Sequence, residues 1–152
     1  MSTNTSVDQV DVRGPRFVAW VTTTVLVVTF VVAAYSTVGA AVVIGLQGIV
    51  FAIGAALGPH KGPYGRIYKA VVAPRLSPVT EKEPIPPLRF AQGLGFVFAL
   101  GAFLGFAFGA PVVGAIFTGF ALFAAFLNAA FGICLGCMIY PLVARLRTPA
   151  TA

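Results

Sequence analysis

Four long runs of apolar positions dominate the chain, and polar residues are gathered into the stretches that separate them. A helix rises about 1.5 Å per residue, so about 20 mostly apolar residues are needed to cross about 30 Å of hydrocarbon. The runs from 17 to 35 and from 39 to 57 contain no Asp, Glu, Lys or Arg, and only Ser36, Thr37 and Val38 lie between them. So short a link permits only antiparallel neighbours, which predicts a transmembrane hairpin. A third run from 90 to 108 is joined through Gly109, Ala110 and Pro111 to a fourth, which stays apolar from 112 to about 143 and reads as one overlong helix in a second hairpin.

The connector between the hairpins, 58–89, has a different character, with prolines at 59, 63, 74, 78, 84, 86 and 87 and most of the chain's charges. Within it Tyr64, Ile67, Tyr68, Val71 and Val72 share one helical face. That pattern predicts a short interfacial helix opened by Pro63 and ended by Pro74. The expected fold class is therefore all-α: a polytopic membrane bundle of four transmembrane helices in two hairpins.

Composition agrees: 59% of the 152 residues are hydrophobic and 9% charged, with a mean hydropathy of +0.96. Soluble domains are about a quarter charged, and a chain this apolar needs lipid as its second solvent. The run from 17 to 35 exceeds the usual hydrophobic region of a signal peptide, and three more runs follow, so it reads as a retained anchor.

The ten Lys and Arg divide as Arg13 and Arg16 before the first run, six in the connector (Lys61, Arg66, Lys69, Arg75, Lys82, Arg89), and Arg145 and Arg147 after the fourth. Neither hairpin turn has any. By the positive-inside rule the tails 1–16 and 148–152 and the connector face the cytoplasm of a plasma membrane, and the net charge of +6 reflects topology and lipid headgroups rather than nucleic-acid binding. Trp20, Tyr64, Tyr68 and Tyr140 then fall at the inner interface and Tyr35 at the outer one.

Helices in lipid associate through small residues and a few polar contacts. Gly54 and Gly58, Gly101, Gly105 and Gly109, and Gly132 and Gly136 recur four apart as candidate seams, which leaves a second copy of the chain as a further partner. Gln47, Gln92 and Asn128 are candidate interhelical hydrogen-bonders. No carboxylate, Lys or Arg lies within a run, which weakens an ion-coupled transport reading.

One constellation carries chemistry. Cys134 and Cys137 form a C-x-x-C near the end of the fourth run. At i and i+3 their Cβ atoms lie about 5–6 Å apart on a helix, and Pro141 loosens the turn, so a reversible dithiol is within reach. On one continuous helix the pair lies toward a C-terminus, without the electropositive N-terminus that acidifies many such thiols. Depth makes Cys137 the attacking thiol and Cys134 the resolving one. His60 with Cys134 and Cys137 makes an incomplete ligand set for a thiophilic metal. No nucleophile triad, phosphate loop or paired carboxylate competes, so no cofactor is expected, and the residues leave open whether the chain is an enzyme.

The Val10-Asp11-Val12-Arg13-Gly14-Pro15-Arg16-Phe17 segment, Gly58-Pro59-His60 with Pro63-Tyr64-Gly65, Pro74-Arg75-Leu76, Pro87-Leu88-Arg89-Phe90-Ala91-Gln92, and the stretch from Asn128 to Tyr140 together resemble the bacterial integral membrane family catalogued as domain of unknown function 4395. The resemblance spans 10 to 147 and implies a small four-span protein associated with thioredoxin-like and rhodanese-like sulfur-handling proteins. Met138 stands where the family leads one to expect an acidic residue. The leading expectation is an inner-face dithiol that exchanges electrons or sulfur with a soluble thiol or sulfurtransferase partner. The alternatives are a non-catalytic membrane anchor or subunit with packed cysteines, and a facilitator of a small sulfur-containing solute.

Overall fold

The computed structural model describes residues 9–147; the outermost residues of the expected tails, 1–8 and 148–152, lie outside them. Strand β1 (Gln9–Asp11) leads into α1 (Arg13–Ala33) and α2 (Thr37–Leu57). A 3-10 turn (Pro59–Lys61) precedes α3 (Pro63–Ile67), which runs on through a π turn (Tyr68–Val72) and a 3-10 turn (Ala73–Arg75). Strand β2 (Lys82–Pro84) then leads into α4 (Ile85–Ala107), α5 (Pro111–Phe131) and α6 (Leu135–Arg147). The protein is an all-α polytopic bundle, and α1, α2, α4 and α5 are long and apolar enough to cross a membrane.

The helices begin where the backbone permits. Pro86 and Pro87 sit in the first turn of α4, where an amide hydrogen would have no partner, so α4 starts at Ile85, more than a turn before the expected 90. Ser36 caps α2 by accepting the Gly39 N–H at 2.9 Å, which sharpens the first hairpin turn.

Antiparallel pairing of β1 with β2 brings the N-terminal ends of α1 and α4 to one end of the bundle and leaves both hairpin turns at the other. These three-residue strands were not anticipated. The core extends from the middle of the bundle toward the hairpin turns, where Leu26, Ile44, Ala99, Ala102 and Phe106 are buried and α4 meets α5 at backbone contact beside the second turn: a Cβ on Gly105 would lie 2.5 Å from the Gly114 nitrogen. Gly54, Gly101 and Gly105 thus serve helix contacts as the seam reading expects, whereas Gly58, Gly109 and Gly132 are turn glycines with positive φ.

The two halves repeat each other. Each has a strand, two long helices, a positive-φ glycine and a shorter helix: Gly58 corresponds to Gly132, Arg16 to Arg89 and α3 to α6. Their contacts are reciprocal, as in a pair related by a two-fold axis. Arg16 reaches the Ala129 and Ala130 carbonyls at the end of α5, while Arg89 reaches those of Ala55 and Ala56 at the end of α2. Phe17 packs on Tyr68 at 5.7 Å between ring centres, and Phe90 packs on Tyr140 at 5.8 Å. In the strand pair Val10 faces Glu83, its own counterpart.

The connector forms the expected short helix, opened by Pro63, and it packs on the bundle. Ile67 and Val71 are half exposed, while Tyr68 is buried against α1 and the Tyr64 hydroxyl donates to Gln47 Oε1 at 2.7 Å. The connector therefore folds back under the bundle and closes its end.

Candidate functional site

The run from 112 to 143 is two helices. After Phe131 the chain enters the left-handed region at Gly132 (φ 69°, ψ 18°). The Gly132 N–H bonds the Asn128 carbonyl, the single bond of a left-handed (αL) helix ending, and the Ile133 N–H bonds that of Leu127; glycine suits this ending because it has no Cβ. The cationic Arg16 guanidinium covers the next open carbonyls of α5.

That break reverses the setting of the cysteines. Cys134 is the residue immediately before α6, and Cys137 lies in its first turn. The Cys137 N–H donates to Cys134 Sγ at 3.2 Å, and the Met138 N–H donates to the Cys134 carbonyl at 3.0 Å. The sulfur occupies the place of a capping oxygen, at the positive end of the helix dipole. The expectation of a C-terminal setting fails because the apolar character of residues 130 to 135 does not reveal a glycine turn among them. The two sulfurs form a disulfide with Cα atoms 5.1 Å apart, and both cysteines are partly exposed.

Helix α6 is seated on α4. A Cβ on buried Gly136 would lie 2.7 Å from the Cα and Cβ of Ala91, so the second residue of α6 touches the α4 backbone directly, and the Tyr140–Phe90 ring pair anchors the next turn. The disulfide is thus positioned from two sides, by the end of α5 and by α4.

Beside it lies a cavity of about 350 Å³ bordered by α1, α2, α4, α5 and α6, with Cys134, Gly136, Gln92, Asn128, Ala121 and Phe98 among its walls. Gln92 and Asn128, expected to bond across helices, face this cavity, and neither side chain has a hydrogen-bond partner among the described residues. The repeat explains the space. In the first half Tyr64, second residue of α3, reaches Gln47 in α2, whereas Gly136 and Ala121 hold the corresponding places in α6 and α5. Likewise Gly62, immediately before α3, and Gly65 within it correspond to Cys134 and Cys137. At these matching places the first half is filled by the Tyr64–Gln47 pair and has glycines, whereas the second is open and has the disulfide.

His60 borders a different cavity, of about 290 Å³, with Asp11 and Tyr68. Among the described residues no three His, Cys, Asp or Glu side chains gather as a metal site would require, so His60 is not brought into one ligand group with Cys134 and Cys137. Asp11 binds the Arg13 guanidinium (2.8 Å) and accepts the Tyr68 O–H (3.1 Å). The Arg13 hydrogen bond, more than any other influence, holds its carboxyl below the ordinary value. Burial pushes Glu83 upward, so this connector carboxylate is not the fully solvated group its Pro-rich surroundings suggest.

The repeat was not seen in the sequence, although its signal is there: Arg89-Phe90 follows Arg16-Phe17 by 73 residues, Gly132 follows Gly58 by 74, and Tyr140 follows Tyr68 by 72. Aligning the halves would have exposed Gly132 as a helix end and the C-x-x-C as a helix start.

Residues 10–145 match the family model described as Domain of unknown function (DUF4395). No curated protein and no solved structure matches the chain.

Proposed function

We propose that this protein, which belongs to the DUF4395 family, exchanges its Cys134–Cys137 disulfide with the thiols of a soluble thioredoxin-like or rhodanese-like partner at the cytoplasmic face of a plasma membrane. The observation that carries the reading is the Cys137 N–H donated to Cys134 Sγ at the start of α6. Hydrogen bonding and the helix dipole both favour a thiolate there, and the thiolate is the nucleophile of thiol–disulfide exchange. This reassigns the two thiols: Cys134 attacks and Cys137 resolves.

In the reducing direction a partner thiolate attacks Cys134 Sγ, the S–S bond breaks, and Cys137 leaves as a thiolate that takes up a proton. A second partner thiol then attacks the mixed disulfide, releasing Cys134 and leaving the partner oxidised. With a persulfide partner, the sulfane sulfur passes to the Cys134 thiolate instead. Sidedness is supported by the charge distribution. The strand-bearing end of the bundle has Arg13, Arg16, Lys82 and Arg89, and the turns at the opposite end have no Lys or Arg, as the positive-inside rule requires of a cytoplasmic face.

Labelling with a membrane-impermeant maleimide after mild reduction tests the reading. Cys134 and Cys137 should react in inverted vesicles and stay protected in intact cells. Labelling from outside the cell alone would remove its basis.

A further inference from the structure

Resting on that exchange reading, we infer that the cavity beside Cys134 binds a lipid-soluble quinone, which accepts the two electrons of the Cys134–Cys137 dithiol. The cavity beside the disulfide opens where Gly136 and Ala121 replace Tyr64 and Gln47, so the space at this position of the repeat is found in the half that has the disulfide and is closed by the Tyr64–Gln47 pair in the other. Its volume of about 350 Å³ lies in the range of about 300–1,000 Å³ usual for small-molecule sites. Phe120 and Phe123, two of its wall residues, are more than half exposed on the outside of the bundle, so the cavity meets the hydrocarbon from which a quinone would enter.

The walls suit a flat ring with two carbonyl oxygens. Phe98 and Phe120 stack on each other, with ring centres 6.2 Å apart and planes 26° from parallel, and give the α4–α5 wall an aromatic surface against which a flat ring can lie. Gln92 and Asn128 offer amide N–H donors that no described residue accepts, and an acyl chain would leave them unsatisfied. Cys134 borders the cavity while its partly exposed setting keeps it open to soluble thiols, so one sulfur serves both sides.

The balance is complete. A soluble dithiol reduces Cys134–Cys137 and becomes a disulfide. The resulting Cys134 and Cys137 thiols lose two protons and two electrons, the S–S bond re-forms, and both quinone carbonyl oxygens become hydroxyls. Cytosolic thiols are kept reduced and a quinone is a stronger oxidant than a protein disulfide, so electrons run from thiol to quinone.

The test uses the full chain in nanodiscs, reduced by a thioredoxin-type dithiol, separated, and mixed with a short-chain ubiquinone analogue. Quinone absorbance and maleimide-reactive thiols are followed together. One quinol per protein should form as both thiols disappear. Ala124→Phe, which fills the cavity from α5, should slow the quinone step at least about tenfold relative to its own reduction by the dithiol, as a loss of about 1.4 kcal/mol in binding would. A photoreactive quinone should also label cavity-wall peptides of the unaltered chain, and excess unlabelled quinone should suppress that labelling. Reduction by the dithiol without quinone-dependent reoxidation, or labelling that quinone does not compete away, overturns the inference and leaves the exchange reading standing. A disulfide that no dithiol partner reduces overturns both.

Discussion

Replacing Gly132 by Ala separates a broken fourth helix from a continuous one by the sign of the effect. In the structure Gly132 holds φ 69° and nothing lies within 4 Å of an added Cβ, so the substitution changes backbone preference without a clash. The left-handed conformation costs an L-residue roughly 1–2 kcal/mol. The smaller conformational freedom of Ala in the unfolded chain offsets about 0.4–1 kcal/mol of that. The net expectation is a destabilisation of about 1 kcal/mol, or about a fivefold increase in the unfolding constant. On an unbroken helix Ala would instead stabilise by about 0.8–1.0 kcal/mol over Gly. Gly109→Ala is the matched control, since Gly109 also has positive φ (80°) and open space, but it stands at the opposite end of the bundle. Denaturant unfolding in mixed micelles measures stability, and the rate of disulfide reduction by a soluble dithiol measures the state of the site. Both variants should lose stability alike, and only Gly132→Ala should change the reduction rate. A neutral or stabilising Gly132→Ala, or an equal effect of both on reduction, would refute the helix break as the device that places Cys134.

Three further outcomes follow from the contacts around the site. Tyr64→Phe strands the Gln47 carbonyl in a buried position and should cost about 1–3 kcal/mol, most of it recovered when Gln47→Leu is added; an additive double variant would show that the pair is not coupled. Arg89→Ala removes bonds of 2.9 and 2.7 Å to the end of α2 and should cost about 1.5–3 kcal/mol, more than Arg16→Ala, whose bonds are 3.4 and 3.5 Å; the reverse order in thermal unfolding would contradict the geometry. The lowered Asp11 carboxyl stabilises the folded tail and connector above the ordinary aspartate value of about 3.9, and that contribution fades as pH falls through the lower folded value. Glu83, raised by burial, acts oppositely and contributes most in acid. Limited proteolysis of the connector across this range should therefore show acid-induced exposure that Asp11→Asn removes, leaving only the opposite trend set by Glu83, with less cleavage in acid; unchanged acid sensitivity in Asp11→Asn would contradict the assignment.

The hairpins were legible because the length of an apolar run and the shortness of a turn are fixed by bilayer thickness and chain geometry. Gly132 was not, since hydropathy records polarity and a left-handed glycine among apolar neighbours carries no polar mark; at four residues from Gly136 it read as part of a seam. The cysteines therefore appeared to end a helix that they begin. Strands β1 and β2 had no alternating pattern to betray them, being three residues each and ending in Pro84. Tyr64 was visible as an aromatic at an interface, but its partner Gln47 sits ten residues before the end of α2, and only the folded-back connector joins them. Gln92 and Asn128 were recognised as unusual at their depth, yet which way they turn depends on the cavity, which arises from two small residues far apart in sequence.

Trapping the mixed disulfide tests the central claim most directly. Cys137→Ser, offered a soluble dithiol protein in its oxidised, disulfide form, should attack that disulfide through Cys134 and retain the protein covalently as one partner sulfur leaves as a thiol, the adduct should be released by reductant, and the double Cys→Ser variant should retain none. Cys134→Ser should trap far less, because Cys137 has no capping N–H at its sulfur. If neither single variant forms an adduct above the double variant, Cys134 and Cys137 are packed residues of a membrane anchor and the account of exchange is wrong.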